Sequence, residues 1–126
     1  MKISIVTPCY YNGMNIPETY EVIKRDVFDV CKDIDFEWVL VDDGSKDDTL
    51  VQALKIQQNN SRAKVVKLSR NFDEFRAIVA GMSKATGDAV VGISADLQNP
   101  PELIPEMIEL WKEGNLVNLA VRKGRE

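Results

Sequence analysis

Short β-branched runs alternate along this chain with longer stretches in which apolar residues recur every three or four positions. Ile3 to Thr7 predicts a first strand. Pro17 opens a helix with an apolar stripe through Tyr20, Ile23, Val27, Cys31 and Ile34. Phe36 to Val41 predicts a second strand that runs into Asp42-Asp43-Gly44-Ser45. Ser45 and Asp48 have the spacing of a capping box, with Leu50, Val51 and Leu54 as the buried side of the helix that comes next. The polar stretch Gln57 to Arg62 reads as a loop and Lys64 to Ser69 as a third strand. Phe75, Ile78, Val79, Met82 and Ala85 mark a third helix ended by Gly87. Asp88 to Ile93 is the fourth expected strand. Pro100 and Pro101 start a helix carrying Leu103, Ile104, Met107, Ile108 and Trp111, and Gly114 closes it. Leu116 to Val121 reads as a fifth strand, before a charged tail.

Five strands separated by helices imply an α/β fold with a parallel sheet, because parallel neighbours need crossover connections and the helices then cover both faces. Ligands of such sheets bind beyond the carboxyl ends of the strands. The segments Thr7 to Gly13, Asp42 to Ser45, Ser69 to Phe72 and Ser94 to Asn99 are therefore where chemistry is expected.

Composition narrows that chemistry. A chain of 126 residues, 44% apolar and 29% charged, supports one globular domain. No apolar run has the length of a membrane span, and the first residues lack the pattern of a signal peptide, which predicts a soluble, cytoplasmic chain. The net charge of −4, with its acidic excess between Asp26 and Asp48, argues against nucleic acid. The absence of histidine removes His-based acid–base catalysis and the usual zinc sites, so a metal would need oxygen ligands. Neither a G-x-G-x-x-G nor a G-x-x-x-x-G-K-[ST] phosphate loop is present.

The remaining strand-end residues admit two readings each. Asp42 and Asp43 end a strand side by side, so alternation sends one to each face. One carboxylate there could accept from a ribose or a base, or both could cap the following helix. Ser94, Asp96 and Gln98 alternate after the fourth strand as three oxygen groups suited to Mg²⁺ or Mn²⁺ on a diphosphate; taken alone, Asp96 reads first as an Asp in a turn bonded to its own backbone. Tyr10 and Tyr11 could stack on a base or serve the core. Arg70 and Arg76 could reach a phosphate or lie solvated at the surface.

The segments TPCYYNGMNIPE, VLVDDGSKDDTL, KLSRNF, AGMSKATGDAVVGISADLQNPPELIPEMI and LAVR, in this order, resemble the amino-terminal half of family 2 glycosyltransferases, closest to those that transfer sugars to polyprenyl phosphate. The resemblance implies the GT-A fold, a three-layer, Rossmann-like arrangement around a mostly parallel sheet, here running to about five strands. It implies a donor nucleotide site at Thr7, Pro8, Tyr10, Asp42, Asp43, Arg70, Asn71 and Ala95. It also implies Mg²⁺ or Mn²⁺ at Asp96, Gln98 and Ser94, with no catalytic residue in this chain. Three departures stand out: Ser94 replaces the first acid of the metal motif, Tyr11-Asn12 replaces Asn-Glu, and Asp73-Glu74 replaces Gly-Lys.

On this resemblance the chain is the nucleotide-sugar-binding half of a longer enzyme, with an acceptor half and membrane helices beyond it. The implied donor is a nucleoside diphosphate sugar, a UDP sugar above others, and the implied acceptor a polyprenyl phosphate or glycan at the cytoplasmic face of a membrane. Uncovered apolar surface makes a homo-oligomer an expectation too. A degenerate nucleotide-binding or scaffolding module is the alternative. A phospho-acceptor receiver domain shares the alternation, but its acidic pair would follow the first strand rather than the second.

Overall fold

Side chains of the first two strands alternate strictly between two cores. In a computed structural model describing residues 1–119, β1 (Lys2–Cys9) pairs in parallel with β2 (Asp35–Asp42) along its whole length, from Lys2 opposite Asp35 to Cys9 opposite Asp42. β3 (Ala63–Lys67) lies outside β2, and β4 (Ala89–Gly92) pairs with the other edge of β1. The order is β3-β2-β1-β4, all parallel. Ile3, Ile5, Phe36, Trp38 and Leu40 face one layer with Ile16, Ile23, Ile56, Ile104 and Ile108. Val6, Val39 and Val41 face the other, against Ala77.

The first layer holds α1 (Ile16–Ile23), α2 (Thr49–Asn59) and α4 (Ile104–Lys112), the last preceded by a 3₁₀ turn at Pro101–Leu103. Among the described residues the second layer is α3 (Glu74–Lys84) alone. Trp38 anchors the first layer: its ring stacks on Tyr20 at 6.1 Å and its indole N–H donates to Thr7 Oγ1 at 2.8 Å.

Several expectations need correction. The first helical stripe is not one α-helix: a π-helical turn at Lys24–Phe28 follows α1, with the Asp29 N–H bonded to the Lys24 carbonyl at 2.8 Å. The extra residue in that turn brings Val27 and Phe28 both into the core and leaves Cys31 and Ile34 beyond the helix. Ser45 caps nothing, since α2 starts at Thr49 and extends through residues expected in a loop. Its buried face is Thr49, Ala53 and Ile56, whereas Val51 and Leu54 are exposed. On α3 the large residues Phe75, Val79 and Met82 are exposed, and Ala77 and Gly81 meet the sheet. Packing distance explains this: a Cβ on Gly81 would lie 2.5 Å from Val6 and 2.8 Å from Val41. α3 ends at Lys84 with Ala85 extended, ahead of Gly87. The fifth strand does not form over its described part, where Leu116, Val117 and Leu119 are exposed and outside any strand. Ala120 and Val121 lie outside the described residues, as does the tail from Arg122 to Glu126. Among the described residues no helix is long and apolar enough to cross a membrane.

At the amino ends of the strands, opposite the expected site, Glu37 is buried on β2 and ties four segments together. It accepts from Ser4 Oγ at 3.1 Å, Lys64 Nζ at 2.6 Å, Thr86 N at 3.0 Å and Thr86 Oγ1 at 2.8 Å, and pairs with Lys2 Nζ at 3.2 Å. Burial alone would raise this carboxyl, but the bonds from Lys64, Thr86 and Lys2 outweigh it and hold the pKa at about 2. A carboxyl depressed from 4.5 to about 2 stabilises the fold above its unfolded value, and that contribution fades as pH falls from 4.5 towards 2. Glu37→Gln is expected to cost about 2 kcal/mol at pH 7 and to flatten the loss of stability between pH 5 and pH 2, measured by urea unfolding across pH.

Candidate functional site: a cleft at the carboxyl edge of the sheet

β1 and β4 are neighbours, yet the connection after β1 leaves on one face of the sheet and α3, which leads to β4, lies on the other. The chain thus parts at their carboxyl ends, which is where α/β sheets open to ligands. A cleft of about 530 Å³ occupies this place. Pro8 and Cys9 line it from β1, Tyr10 and Asn12 from the loop that follows, Asp43 from just beyond β2, Asn71, Asp73 and Glu74 from the entry to α3, and Ser94, Ala95, Asp96, Gln98 and Asn99 from the loop after β4.

Asp43 joins two of these segments. It is 2% exposed, and its carboxylate accepts from Phe72 N at 2.8 Å, Asn71 Nδ2 at 3.0 Å and Asp73 N at 3.2 Å. Gly44 beside it has φ +73°, and a Cβ there would sit 2.3 Å from the Arg70 carbonyl carbon and 2.4 Å from Asn71 N. Only glycine allows the two loops to touch. Held this way, Asp73 adopts φ 106° and ψ 165°, a conformation almost confined to glycine. Its carboxylate caps α3 by accepting from Arg76 N at 2.9 Å.

Asp42 points to the other face, as alternation requires. Its Oδ1 accepts from Ser45 N at 3.1 Å, and it does not line the cleft. Burial, followed by the charge of Asp42, pushes the Cys9 thiol up to about 12, so Cys9 stays protonated at neutral pH and is no nucleophile.

The loop after β1 is tied to α2. Tyr10 N donates to Asn12 Oδ1 at 2.7 Å, Tyr11 N to Ser45 Oγ at 3.0 Å and Asn12 N to Thr49 Oγ1 at 2.9 Å. Tyr10 and Tyr11 meet edge to face at 4.6 Å and both are exposed, with Tyr11 at φ 53°. Flat aromatic surface therefore stands at the mouth.

After β4, Ser94 N donates to Asn99 Oδ1 at 3.0 Å and Gln98 N to Asp96 Oδ1 at 3.2 Å, so Asp96 does sit in a turn bonded to its own backbone. Leu97 at φ 64° completes the tight loop. Ala95 is fixed from behind by Thr19, whose hydroxyl donates to its carbonyl at 2.6 Å. Ser94 Oγ is buried with no hydrogen-bond partner, an orphan that a bound group would satisfy. Ser94 and Asp96 both line the cleft, and a hydroxyl and a carboxylate are oxygen donors of the kind Mg²⁺ or Mn²⁺ takes. Among the described residues no three Cys, Asp or Glu side chains converge on one point, so a cation here would draw its other ligands from water and from an anionic ligand.

Of the residues singled out in the sequence, Pro8, Tyr10, Asp43, Asn71, Ser94, Ala95, Asp96 and Gln98 are brought together around the cleft. Thr7, Asp42 and Arg70 are not: the Thr7 hydroxyl bonds Trp38 in the core, and the Arg70 guanidinium lies 4.6 Å over the Phe72 ring. Cys9, Asn12, Asp73, Glu74 and Asn99 line the cleft without having been singled out as site residues. An Asp three residues before Arg76 at a helix start was a signal for Asp73.

Comparison with known proteins identifies the family. The sequence profile of "Glycosyl transferase family 2" matches residues 4–126. The chain belongs to that family. It is 46% identical to the "Uncharacterized glycosyltransferase YkcC" of Bacillus subtilis, over 100% of this chain and 38% of that protein. It is 41% identical to the "Prophage bactoprenol glucosyl transferase homolog" of Escherichia coli, over 99% of this chain and 40% of the relative. The chain thus spans well under half the length of these relatives. The solved structure of the mannosyltransferase PcManGT from Pyrobaculum calidifontis, in complex with GDP-Man and Mn²⁺, superposes with a TM-score of 0.74 at 21% identity, over 91% of this chain and 33% of that one. The shared feature is the fold of a glycosyltransferase.

Because the buried Asp43 carboxylate accepts from two backbone N–H groups and an amide, Asp43→Ala is expected to destabilise the chain by about 3 kcal/mol. Asp42→Ala, which loses the bond from Ser45 N, should cost about 1 kcal/mol, both read from urea unfolding midpoints.

Proposed function

We propose that this member of glycosyl transferase family 2 supplies the donor half of a sugar transferase and holds a nucleoside diphosphate sugar in the cleft at the carboxyl edge of the sheet. The observation that carries this reading is the meeting of Asp43, the aromatic loop after β1 and the oxygen-rich 94–99 loop at one strand-order reversal. Residues 1–126 form one donor-binding domain in this reading, with the acceptor half elsewhere in the whole protein.

Pro8, Tyr10, Asp43 and Asn71 would embrace the nucleoside, the Tyr10 ring giving it a flat partner and the Asp43–Asn71 pair giving it hydrogen bonds. Thr7, Asp42 and Arg70 would act behind this layer by fixing the loops. The Ala95 backbone, anchored by Thr19, would border the sugar side. Asp96, with Ser94 and Gln98, would hold Mg²⁺ or Mn²⁺ on the diphosphate. When bound, that cation would neutralise the diphosphate leaving group.

The relatives named for bactoprenol support a polyprenyl phosphate as acceptor. Such an acceptor is already ionised, and its phosphate oxygen can attack the anomeric carbon without a general base as the nucleoside diphosphate leaves. We place the whole protein at the cytoplasmic face of a membrane, where a polyprenyl acceptor and a nucleotide donor meet. A UDP sugar is the proposed donor, on the resemblance of the strand-end motifs. The exposed Phe75, Val79 and Met82 on α3 support self-association of the isolated chain.

A thermal-shift panel of UDP, GDP, CDP and TDP, each with Mn²⁺, Mg²⁺ or EDTA, tests the reading. At a hundredfold excess over Kd, a ligand of the folded state adds about 2.7 kcal/mol, a shift of several degrees for a domain of this size. One nucleotide, UDP in this reading, should raise Tm with metal, lose most of that rise in EDTA and lose it in Asp96→Asn. No shift with any nucleotide in any metal would overturn the reading in favour of a scaffolding module.

A further inference from the structure

The charge lining the cleft is one-sided. Asp43, Asp73, Glu74 and Asp96 contribute carboxylates, and no Lys or Arg of the described residues lines it. Three of these acids also accept local hydrogen bonds: Asp43 from the Asn71–Asp73 loop, Asp96 from its own turn and Asp73 from Arg76 N. Asp73 and Glu74 stand side by side at the start of α3. Asp73 stands in a backbone conformation that L-residues rarely adopt, held there by Asp43, so the fold carries an acid at a position where glycine would be less strained. Glu74 comes next, exposed in the first turn of α3. Of the two flanking cations, Arg70 is turned away onto the Phe72 ring and Arg76 does not line the cleft.

We propose that Asp73 and Glu74 are specificity-determining residues that select the charge state of the ligand, excluding a free nucleoside diphosphate and admitting its complex with a divalent cation. The inference rests on the donor-site reading. Coulomb repulsion scales with the charge of the entering group. A divalent cation on the diphosphate cancels two of its charges and with them most of the repulsion from the two acids. A cleft with a neutral residue and a cation at the same two positions would bind the metal-free nucleotide far more readily. The selector acts on charge, so a neutral nucleoside, stacked on Tyr10 of the loop after β1, carries nothing for the two acids to repel.

The test is isothermal titration of UDP and of GDP, in EDTA and in Mg²⁺, into the wild-type chain, Asp73→Asn, Glu74→Gln and the double variant, with the neutral nucleosides as controls. Asn keeps a capping oxygen for Arg76 N and tolerates positive φ better than most residues, so the variants should fold, as thermal melts will check. The double variant should bind the diphosphate in EDTA roughly tenfold more tightly than wild type, with affinity in Mg²⁺ changed by less than about twofold and nucleoside binding unchanged. Unchanged binding in EDTA, with metal-dependent binding intact in all proteins, would overturn the selector and leave the donor site standing. Weaker binding in Mg²⁺ by the variants would also overturn it, making the acids metal ligands instead. Absence of binding by every protein in both media would overturn the donor-site reading and this inference together.

Discussion

Parallel strands can be joined only by crossovers, and right-handed crossovers put successive helices on one face until the strand order reverses. In this chain the reversal falls between β1 and β4, and both the layering and the cleft depend on it. α1, α2 and α4 cover the large apolar face around Trp38, while α3 alone covers the other, and the sheet opens at its carboxyl edge where those two courses part. The strict alternation of β2 then decides what each acid does. Asp42 turns to the first layer to serve the turn at Ser45, and Asp43 turns to the second to hold the loop before α3.

The two ends of the sheet divide the work. At the amino end, Glu37 gathers Lys2, Ser4, Lys64 and Thr86 into a closed network in which a buried carboxylate is fully met by donors. Such a network adds rigidity. At the carboxyl end polar groups are left to face a cleft, one of them, Ser94 Oγ, buried and unmet, and three non-glycine residues, Tyr11, Asp73 and Leu97, take positive φ. Backbone strain of this kind gathers where a fold positions functional groups, and all three lie in the loops that frame the cleft.

Much of this was legible in the sequence. β-branched runs located the four strands of the sheet, and the topology rule located the cleft before any contact was known. Alternation at Asp42-Asp43 separated their faces correctly. The helices were harder, because a stripe of large apolar residues is normally the buried side. On α3 the sheet face is already filled by Val6, Val39 and Val41, so close approach selects Ala77 and Gly81 and turns Phe75, Val79 and Met82 outward. The π-helical turn at Lys24–Phe28 was invisible to a count in threes and fours, since it inserts one residue into the period. Thr7, expected at the donor site on the family resemblance, has its hydroxyl taken up by the Trp38 indole, a bond that no local pattern announces. Asn12 and Asn99 act through side-chain hydrogen bonds to their own loops, which leave no periodic trace.

The function proposed for this chain places a nucleoside diphosphate at the carboxyl edge of the sheet and nowhere else. Backbone amide resonances followed during titration with UDP and Mg²⁺ probe that placement residue by residue, because each amide reports its own surroundings. Shifts are expected to be confined to residues 9–12, 43–45, 71–74 and 94–99, with the amides around Glu37 and Thr86 unmoved. Shifts centred on the amino edge, or on the exposed face of α3, would contradict it.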